Sequence, residues 1–508
     1  MRNLNPTFAF PILAGIFAGC SIVFHSPVLS LICLVPLLLL LFRIGSLSAG
    51  QGFLFSATIA VFLFSWMISG AERFTGSSML YGLGAFLLSA LFFFAYWSLA
   101  VWLWARFHQN IYRRNYLPIG ILLSSAWTLL EEIFFLLISD LPWFGFRVGY
   151  GLSTNLLALQ YASLGGAGLI SFIAVFFNFL LAQALFKTRI KQAWQPLMAA
   201  AVFALGGWGL LTDFTLNVKA AGSVKVVIAN QNIPPEKKWN EINGNALASE
   251  LIRLSKTAAT HQPQLIVWPE SILPWTYQPG DDLTGELLKQ TPGAAQIIGM
   301  NTEAAVNTVF NSAYYIQPNE EAISVYHKQQ PLAFIEKPLG GVLLPFLSGG
   351  GYNVQESKNS SVIETKFGNA GILICNESAI PALARAAAMD SAQFLVNISN
   401  DGWFADSYLA RAHWQHARLR AVEIRKDVVV SSNRGYSGVI QASGNAGEAF
   451  QADEPAVIPV EINRYNSSTV WVRMPFLFIG SYAAIIILSY LYFLFTGKGL
   501  LQKRKECI

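Results

Sequence analysis

AGILICNES, residues 370–378, is a short apolar run that stops abruptly at a cysteine followed by two polar side chains, Asn376 and Glu377. A run of this length, bounded by polar residues, reads as a strand buried on both faces. The pattern extends to either side. VKVVIANQN (224–232), QLIVWPES (264–271), AQIIGMN (295–301), NSAYYIQ (311–317), AQFLVNISND (392–401) and DVVVSSN (427–433) have the same form, while NALASELIRLSKTAA (245–259) and HWQHARLRAVEIRK (413–426) have helical spacing. Short buried strands alternating with amphipathic helices predict an α/β domain, and such strands often present functional groups at their carboxyl ends. Three ends carry reactive side chains: Glu270 after LIVWP, Lys328 after ISVYH, and Cys375 after GILI.

The remainder is written for a different solvent. Of 508 residues, 54% are hydrophobic and 12% charged, against about 25% charged in soluble domains. A bilayer span takes about 20 mainly apolar residues. Seven candidates precede the α/β region, in Phe8–Phe24, Pro27–Phe42, Phe53–Ile68, Tyr81–Ala105, Leu117–Ile138, Leu156–Phe186 and Leu197–Leu211, and an eighth follows it in Met474–Phe495. The first two are joined so tightly that they read as a helical hairpin or one long broken segment. The expected organisation is a seven-span bundle over 1–215, the α/β domain over 220–468, a C-terminal span over 474–496 and a basic tail over 497–508.

Charge between the spans sets orientation. Arg2, Arg43, the group Arg106, Arg113 and Arg114, the group Lys187, Arg189 and Lys191, and finally Lys498, Lys503, Arg504 and Lys505 occupy alternate connections. Lysine and arginine are retained on the cytoplasmic side, so both termini are expected there and the α/β domain outside. Seven preceding spans require the same. The net charge of +5 sits largely in these loops, which argues for membrane orientation over nucleic-acid binding. The opening MRNLNPTFAFPILAGIFAGC also resembles a lipoprotein signal peptide ending at Cys20, but Phe17 is bulky and the chain stays apolar beyond Cys20. Glu131 and Glu132 are costly in hydrocarbon and are expected to face the bundle interior or its rim, ion-paired with Arg147. Leu141–Gly145 suits an interfacial aromatic anchor.

Of four cysteines, Cys20 and Cys33 lie in apolar segments and Cys507 is penultimate, leaving Cys375 alone in the α/β region. No internal disulfide can hold that domain. A lone thiol outside the cytoplasm is either buried or has a chemical task. Taken singly, the cysteine reads as a small buried hydrophobe and the glutamate or lysine as a solvated charge. Together they supply the three functions that acyl transfer through cysteine needs: a nucleophile, a base for its proton and a cation for the oxyanion.

LPWFGFRVGY (141–150), NQNIPPEKKW (230–239), WPES, VYHKQQ (325–330), ILICNES and NISNDGWF (397–404), with the span count, resemble the apolipoprotein N-acyltransferases, membrane members of the nitrilase superfamily. The resemblance implies an αββα nitrilase-like sandwich carried by about eight transmembrane helices, in a bacterial inner membrane with the catalytic domain facing the periplasm. It implies Glu270 as general base, Lys328 as transition-state cation and Cys375 as nucleophile. Glu336 matches a further glutamate downstream of the lysine, Trp239 a tryptophan near the substrate entrance, and Glu377 a carboxylate beside the cysteine; Asn376 would lend its backbone NH to the oxyanion. The implied reaction is ping-pong: acyl transfer from a membrane phospholipid to Cys375, then to the free amine of a diacylglyceryl cysteine on an apolipoprotein. Neither metal nor organic cofactor is called for.

Three stretches depart from the family. Asn376 stands where a tyrosine is common, QQPLAFIEKPLGG (329–341) replaces a valine, proline and glycine run, and SSNRGYSG (431–438) replaces an alanine, asparagine, threonine and glycine stretch. These bear on donor and acceptor choice. Phe334, Leu343, Leu344, Phe346 and Leu347 form a candidate lipid-dipping lid. His413 and His416 could share a helix face as metal ligands, but only two ligands are visible and a packing role is favoured. Gly349–Gly351 lacks the rest of a P-loop. Two other readings compete: a membrane-tethered amidase or esterase using the same trio, and a non-catalytic scaffold or transporter, against which stands the scarcity of intramembrane charge.

Overall fold

The computed structural model describes residues 5–75, 79–109, 116–141, 144–187, 194–235, 237, 239–318, 322–333, 335–338, 353–358, 360–451 and 454–505. Arg2, Arg113, Arg114, Pro142, Trp143, Arg189, Lys191, Phe334, Leu343, Leu344, Phe346, Leu347, Gly349–Gly351 and Cys507 lie outside the described residues.

The first two apolar segments fold as a hairpin. Asn5 caps the helix Pro6–Val23, whose Pro6 takes the first position, where a missing N–H costs nothing. Ser26 caps the returning segment. That segment is broken into Pro27–Ile32 and Val35–Ile44, and the backbone groups freed at the break are satisfied by Asn178 from the helix Ala162–Lys187. Asn178 Nδ2 donates to Ser30 O at 2.9 Å, and its Oδ1 accepts the Leu34 N–H at 2.8 Å. No water is at hand in hydrocarbon, so a broken helix there depends on such a side chain.

Among the described residues, seven helices are long and apolar enough to cross a membrane: Pro6–Val23, Pro27–Ile44, Ala49–Gly70, Met79–Phe107, Leu117–Leu137, Ala162–Phe186 and Trp194–Asn217. The expected eighth corresponds to the helix Leu477–Lys505, with a described apolar stretch over Leu477–Tyr492. The sixth span, expected from Leu156, starts at Ala162 instead, because Asn155 caps a separate turn at Leu156–Leu159. It is kinked at Gly166, where φ is 64° and a Cβ would lie 2.6 Å from Trp471 Nε1. Only glycine meets both conditions.

Both acidic residues of the fifth span are paired as expected. Arg147 forks onto Glu132 at 2.6 and 2.9 Å and lies 3.8 Å from Glu131, which also accepts Trp127 Nε1–H and the Val148 N–H, each at 2.9 Å. Phe144, expected in an interfacial anchor, packs edge-on against Phe64 within the bundle, 5.1 Å between centroids.

Between the last two apolar helices the chain forms two sheets. Strands β1 (Gly222–Asn230), β2 (Leu265–Val267), β3 (Ala295–Ala305), β4 (Thr308–Ile316), β5 (Ala322–His327) and β12 (Ala456–Arg464) lie in the order β12-β1-β2-β3-β4-β5, with β6 (Asn353–Val354) paired to β4. The second sheet runs β11-β10-β9-β8-β7, from β7 (Val362–Thr365), β8 (Gly368–Ile374), β9 (Phe394–Asn400), β10 (Val428–Asn433) and β11 (Gly438–Ile440). Strand alternation decides the layers. Val226 and Ile228 of β1 join Ile372, Ile374, Val396 and Ile398 in a core between the sheets. Val227 and Ala229, facing the other way, meet Leu251 and Leu254 of the helix Gly244–Thr260. On the far side Leu373, Leu395 and Val430 pack on the helices Pro381–Met389 and Tyr408–Ile424. The result is the expected αββα sandwich.

Strand β12 was not anticipated. Pro459 within AVIPVEINR argues against an inner strand, and the structure agrees by placing β12 at the sheet edge, antiparallel to β1.

Sandwich and bundle are joined by buried polar contacts. Glu423 pairs with Arg420 at 2.8 Å and accepts the Ala167 N–H at 3.2 Å just after the kink, and Gln160 Nε2 donates to Ser443 O at 2.9 Å. Asp140, beyond the fifth span, accepts from Gln330 Nε2 at 2.5 Å and Lys337 Nζ at 2.9 Å, while its carbonyl takes the Ala333 N–H at 3.1 Å.

Asn178→Leu strips the broken helix of both bonds. Each orphaned backbone group costs about 1–3 kcal/mol, so the detergent-solubilised variant is expected to melt below wild type in a thermal-shift measurement.

Candidate active site

Three strand ends from two sheets converge. Chain leaving β2 through Trp268 and Pro269 turns sharply, with Ser271 at φ 50°, and buries Glu270. Strand β3 crosses close beneath: a Cβ on Gly299 would lie 2.5 Å from Pro269 O and 2.8 Å from Glu270 Cα. Glu270 Oε1 accepts Asn311 Nδ2–H at 2.7 Å, from β4, and its Oε2 accepts the Asn400 N–H at 2.9 Å, at the end of β9 in the opposite sheet. The carboxylate therefore spans the two sheets.

Lys328, just past β5, is 1% exposed. Its Nζ sits 2.8 and 2.9 Å from the two oxygens of Glu336 and 3.7 Å from Glu270 Oε1. Asn311 Nδ2 reaches Glu336 Oε1 at 3.4 Å, closing a ring of one amide, one ammonium and two carboxylates. Burial alone would push the ammonium down, yet Glu336 and then Glu270 hold it above its ordinary value. Burial lifts the Glu270 carboxyl, Lys328 restrains that rise and Glu336 adds to it.

Cys375 ends β8 at φ 56°, in the left-handed region that a side-chain-bearing residue adopts only under constraint. Glu377 supplies the constraint. Its Oε2 accepts the Ile374 N–H at 2.8 Å and the Tyr326 hydroxyl at 2.8 Å, and its Oε1 accepts the Gln329 and Gln330 N–H groups at 2.7 and 3.1 Å. One carboxylate thus ties the cysteine turn to the chain leaving Lys328. Burial pushes the thiol well above its usual value, Glu270 pushes the same way, and Lys328 opposes them.

Of the residues singled out in the sequence, Glu270, Lys328 and Glu336 form one cluster, with Cys375 within its electrostatic reach. Glu377 lies under the cysteine turn. Asn376 is buried and its Nδ2 donates to Gln330 O at 3.0 Å. Trp239 stands apart, half-buried and edge-on to Trp275 at 5.2 Å. His413 and His416 do not form a two-histidine ligand pair: His413 Nδ1 contacts Asp401 Oδ1 at 3.1 Å, while the His416 ring packs against Tyr150. Asn311, Tyr326 and the Asn400 N–H are site components that the sequence reading did not reach. Only Asn311, a polar residue inside an apolar strand, carried a visible signal.

A thiol, a buried carboxylate and a buried ammonium in this arrangement can move the thiol proton to Glu270 and leave Lys328 facing negative charge that develops at the sulfur's acyl group. Two family models match the chain, Apolipoprotein N-acyltransferase N-terminal domain over residues 14–180 and Carbon-nitrogen hydrolase over residues 226–464. An apolipoprotein N-acyltransferase of Neisseria meningitidis serogroup B is 25% identical over 450 residues, covering 84% of each chain. The chain belongs to the apolipoprotein N-acyltransferase family. A Bdellovibrio bacteriovorus apolipoprotein N-acyltransferase is 26% identical over 86% of this chain and 84% of its own, and apolipoprotein N-acyltransferase 2 of Treponema denticola is 31% identical over 52% of this chain and 53% of its own. Membership in this family, with seven apolar helices, makes the chain a multi-pass bacterial membrane acyltransferase of the nitrilase superfamily.

The charges around the thiol give opposite signs for two substitutions. Lys328→Met removes the cation that favours thiolate and is expected to move the pH profile of Cys375 alkylation further above that of a free thiol. Glu270→Gln removes a repelling anion and is expected to move it down. Iodoacetamide labelling followed by peptide mass spectrometry reads both.

Proposed function

We propose that this enzyme transfers a fatty acyl chain from a membrane phospholipid to the α-amine of a diacylglyceryl cysteine on an apolipoprotein, through a thioester on Cys375, in the maturation of bacterial lipoproteins. The observation that carries this reading is the constrained cysteine beside a buried carboxylate–ammonium–carboxylate cluster, in a sandwich fixed to a bundle of apolar helices. In the first half, Glu270 takes the thiol proton as Sγ attacks the donor ester carbonyl. Lys328 and the Asn376 N–H offset charge on the tetrahedral oxygen, and the proton passes from Glu270 to the departing lysophospholipid alkoxide. In the second half the amine attacks the thioester, and Glu270 relays a proton from nitrogen to the leaving thiolate. Burial favours this base role, because it lifts the Glu270 carboxyl toward a range where it can hold a proton in transit.

The fusion to the bundle supports a lipid donor. Asp140 grips the chain that follows Lys328 through Gln330, Ala333 and Lys337, on either side of Glu336, so the reaction centre is held at the membrane part of the molecule, where both acylated substrates reside. The alternate placement of basic loops supports an inner-membrane protein with residues 220–468 in the periplasm, between a bundle over 1–215 and a C-terminal span over 474–496. A hydrolase would have no use for such an anchor when acting on small soluble amides.

Incubating the purified enzyme with a palmitoyl-labelled phospholipid is expected to leave hydroxylamine-sensitive label on Cys375, absent in Cys375→Ala. Glu270→Gln is expected to slow its formation by about 10²–10⁴-fold, and Lys328→Met by about 10²–10³-fold. Labelling that survives in Cys375→Ala, or that never appears with any phospholipid, contradicts the proposal.

A further inference from the structure

Transfer to an amine leaves a surplus proton. An α-amine has a pKa near about 8, so at neutral pH the acceptor arrives mostly as R–NH3+, and the overall second half converts R–NH3+ and the thioester into amide, thiol and one H+. Glu270 returns to its starting state, since the proton it takes from the attacking nitrogen goes to the sulfur. Either bulk water takes the first proton before the amine binds, or a group at the site takes it and lets the abundant ammonium form react.

A second acid–base pair lies beside the nucleophile. A ring nitrogen of His413, an oxygen of Asp401 and Cys375 Sγ all lie within 4.8 Å of one another, and all three residues are buried. Asp401 Oδ1 accepts Ser399 Oγ–H at 2.5 Å and meets His413 Nδ1 at 3.1 Å. A carboxylate at Nδ1 fixes the neutral ring with its proton there, leaving Nε2 as the basic nitrogen. Nε2 is buried and has no hydrogen-bond partner among the described residues, and His413 is only 4% exposed. The Phe404 ring stands edge-on to the imidazole at 5.2 Å. On its bundle side the ring borders a small, mainly apolar cavity in which His25, Tyr150, Ser153, Tyr408 and His416 stand among apolar neighbours such as Ile22 and Leu419. His25, Tyr150, Tyr408 and His416 are the titratable groups that line this cavity with it, while Asp401 and Cys375 face it on the reaction side. Burial first, then the neighbouring His413 and Arg420, hold the His416 imidazole well below its usual value, so it stays neutral beside a protonated His413.

We propose that His413, oriented by Asp401, accepts the proton of the acceptor ammonium and releases it through the cavity at the sandwich–bundle junction. R–NH3+ and imidazole become R–NH2 and imidazolium, the imidazolium is paired with the Asp401 carboxylate, and one proton leaves per turnover. The amine would attack a thioester carbon bonded to Sγ, and Sγ lies within 4.8 Å of a His413 ring nitrogen and an Asp401 oxygen. The inference rests on the acyl-enzyme reading and deepens it: the donor half, which has no net proton change, does not need His413, whereas the amine half does.

The test separates the halves. His413→Gln, loaded with palmitoyl phospholipid in detergent micelles, is expected to form the Cys375 thioester within about twofold of wild type. Transfer to a synthetic dipalmitoylglyceryl-cysteinyl peptide at pH 7 is expected to fall by about tenfold, as set by the neutral share of an amine with a pKa near about 8, and to recover as pH rises to the pKa of the peptide amine. Deacylation by hydroxylamine, already neutral at pH 7, is expected to match wild type. Parallel loss in both halves, or a transfer defect that pH does not rescue, overturns the inference. Should the variant form no thioester, pre-acylated wild type decides: its transfer rate is expected to stay level as pH drops below the amine pKa, and a rate tracking amine ionisation with unit slope overturns it. Failure of wild type itself to form a thioester contradicts the acyl-enzyme reading, and is recognised as such.

Discussion

A lysine ammonium held between two carboxylates, out of reach of water, is the interaction on which the site depends. Lys328 could not be buried alone, since an unpaired charge in a protein interior is costly, and Glu270 and Glu336 would face the same penalty without it. Asn311 bonds both carboxylates and so sets their spacing. Burial of the Cys375 thiol, with Glu270 pushing the same way and Lys328 opposing, keeps the sulfur protonated at rest. In the proposed reaction, proton transfer to Glu270 is then part of the chemistry itself.

Holding the cluster in place requires both sheets and the bundle. Glu270 is tied to β4 by Asn311 and to the opposite sheet by the Asn400 N–H. Glu377, with four donors converging on it, fixes the left-handed turn at Cys375 to the chain that leaves Lys328. That same chain is gripped from the membrane side by Asp140. A distortion at the membrane face therefore reaches the ammonium through a few bonds, which is a physical reason for a membrane enzyme to build its catalytic sandwich onto its helices.

The parts of this design that were legible in the sequence are those encoded locally. Apolar runs that stop at Glu270, Lys328 and Cys375 could be read as strand ends, and the alternation of Val226 to Ala229 as one strand facing two layers. Seven of the eight expected spans could be read from hydropathy and the pairing of Glu132 with Arg147 from the cost of a charge in lipid. What was hidden depends on contacts between distant residues. Asn178 reads as one more polar residue in an apolar helix until the break at Leu34, far away in sequence, needs it. Asp401 and His413 are unremarkable apart, the first on a loop and the second on a helix, until the fold brings them to Cys375. β12 carries Pro459, which its place at the sheet edge accommodates, and that place is set by pairing with the distant β1.

The central claim is that acyl transfer through Cys375 completes a lipoprotein. Mass spectrometry of lipoprotein N-termini, from bacteria depleted of their own N-acyltransferase and supplied with this chain, tests it most directly. Triacylated N-termini with the wild-type chain and diacylated ones with Cys375→Ala are predicted. Triacylation restored equally by Cys375→Ala, or by neither chain although both are present in the membrane, would contradict the account.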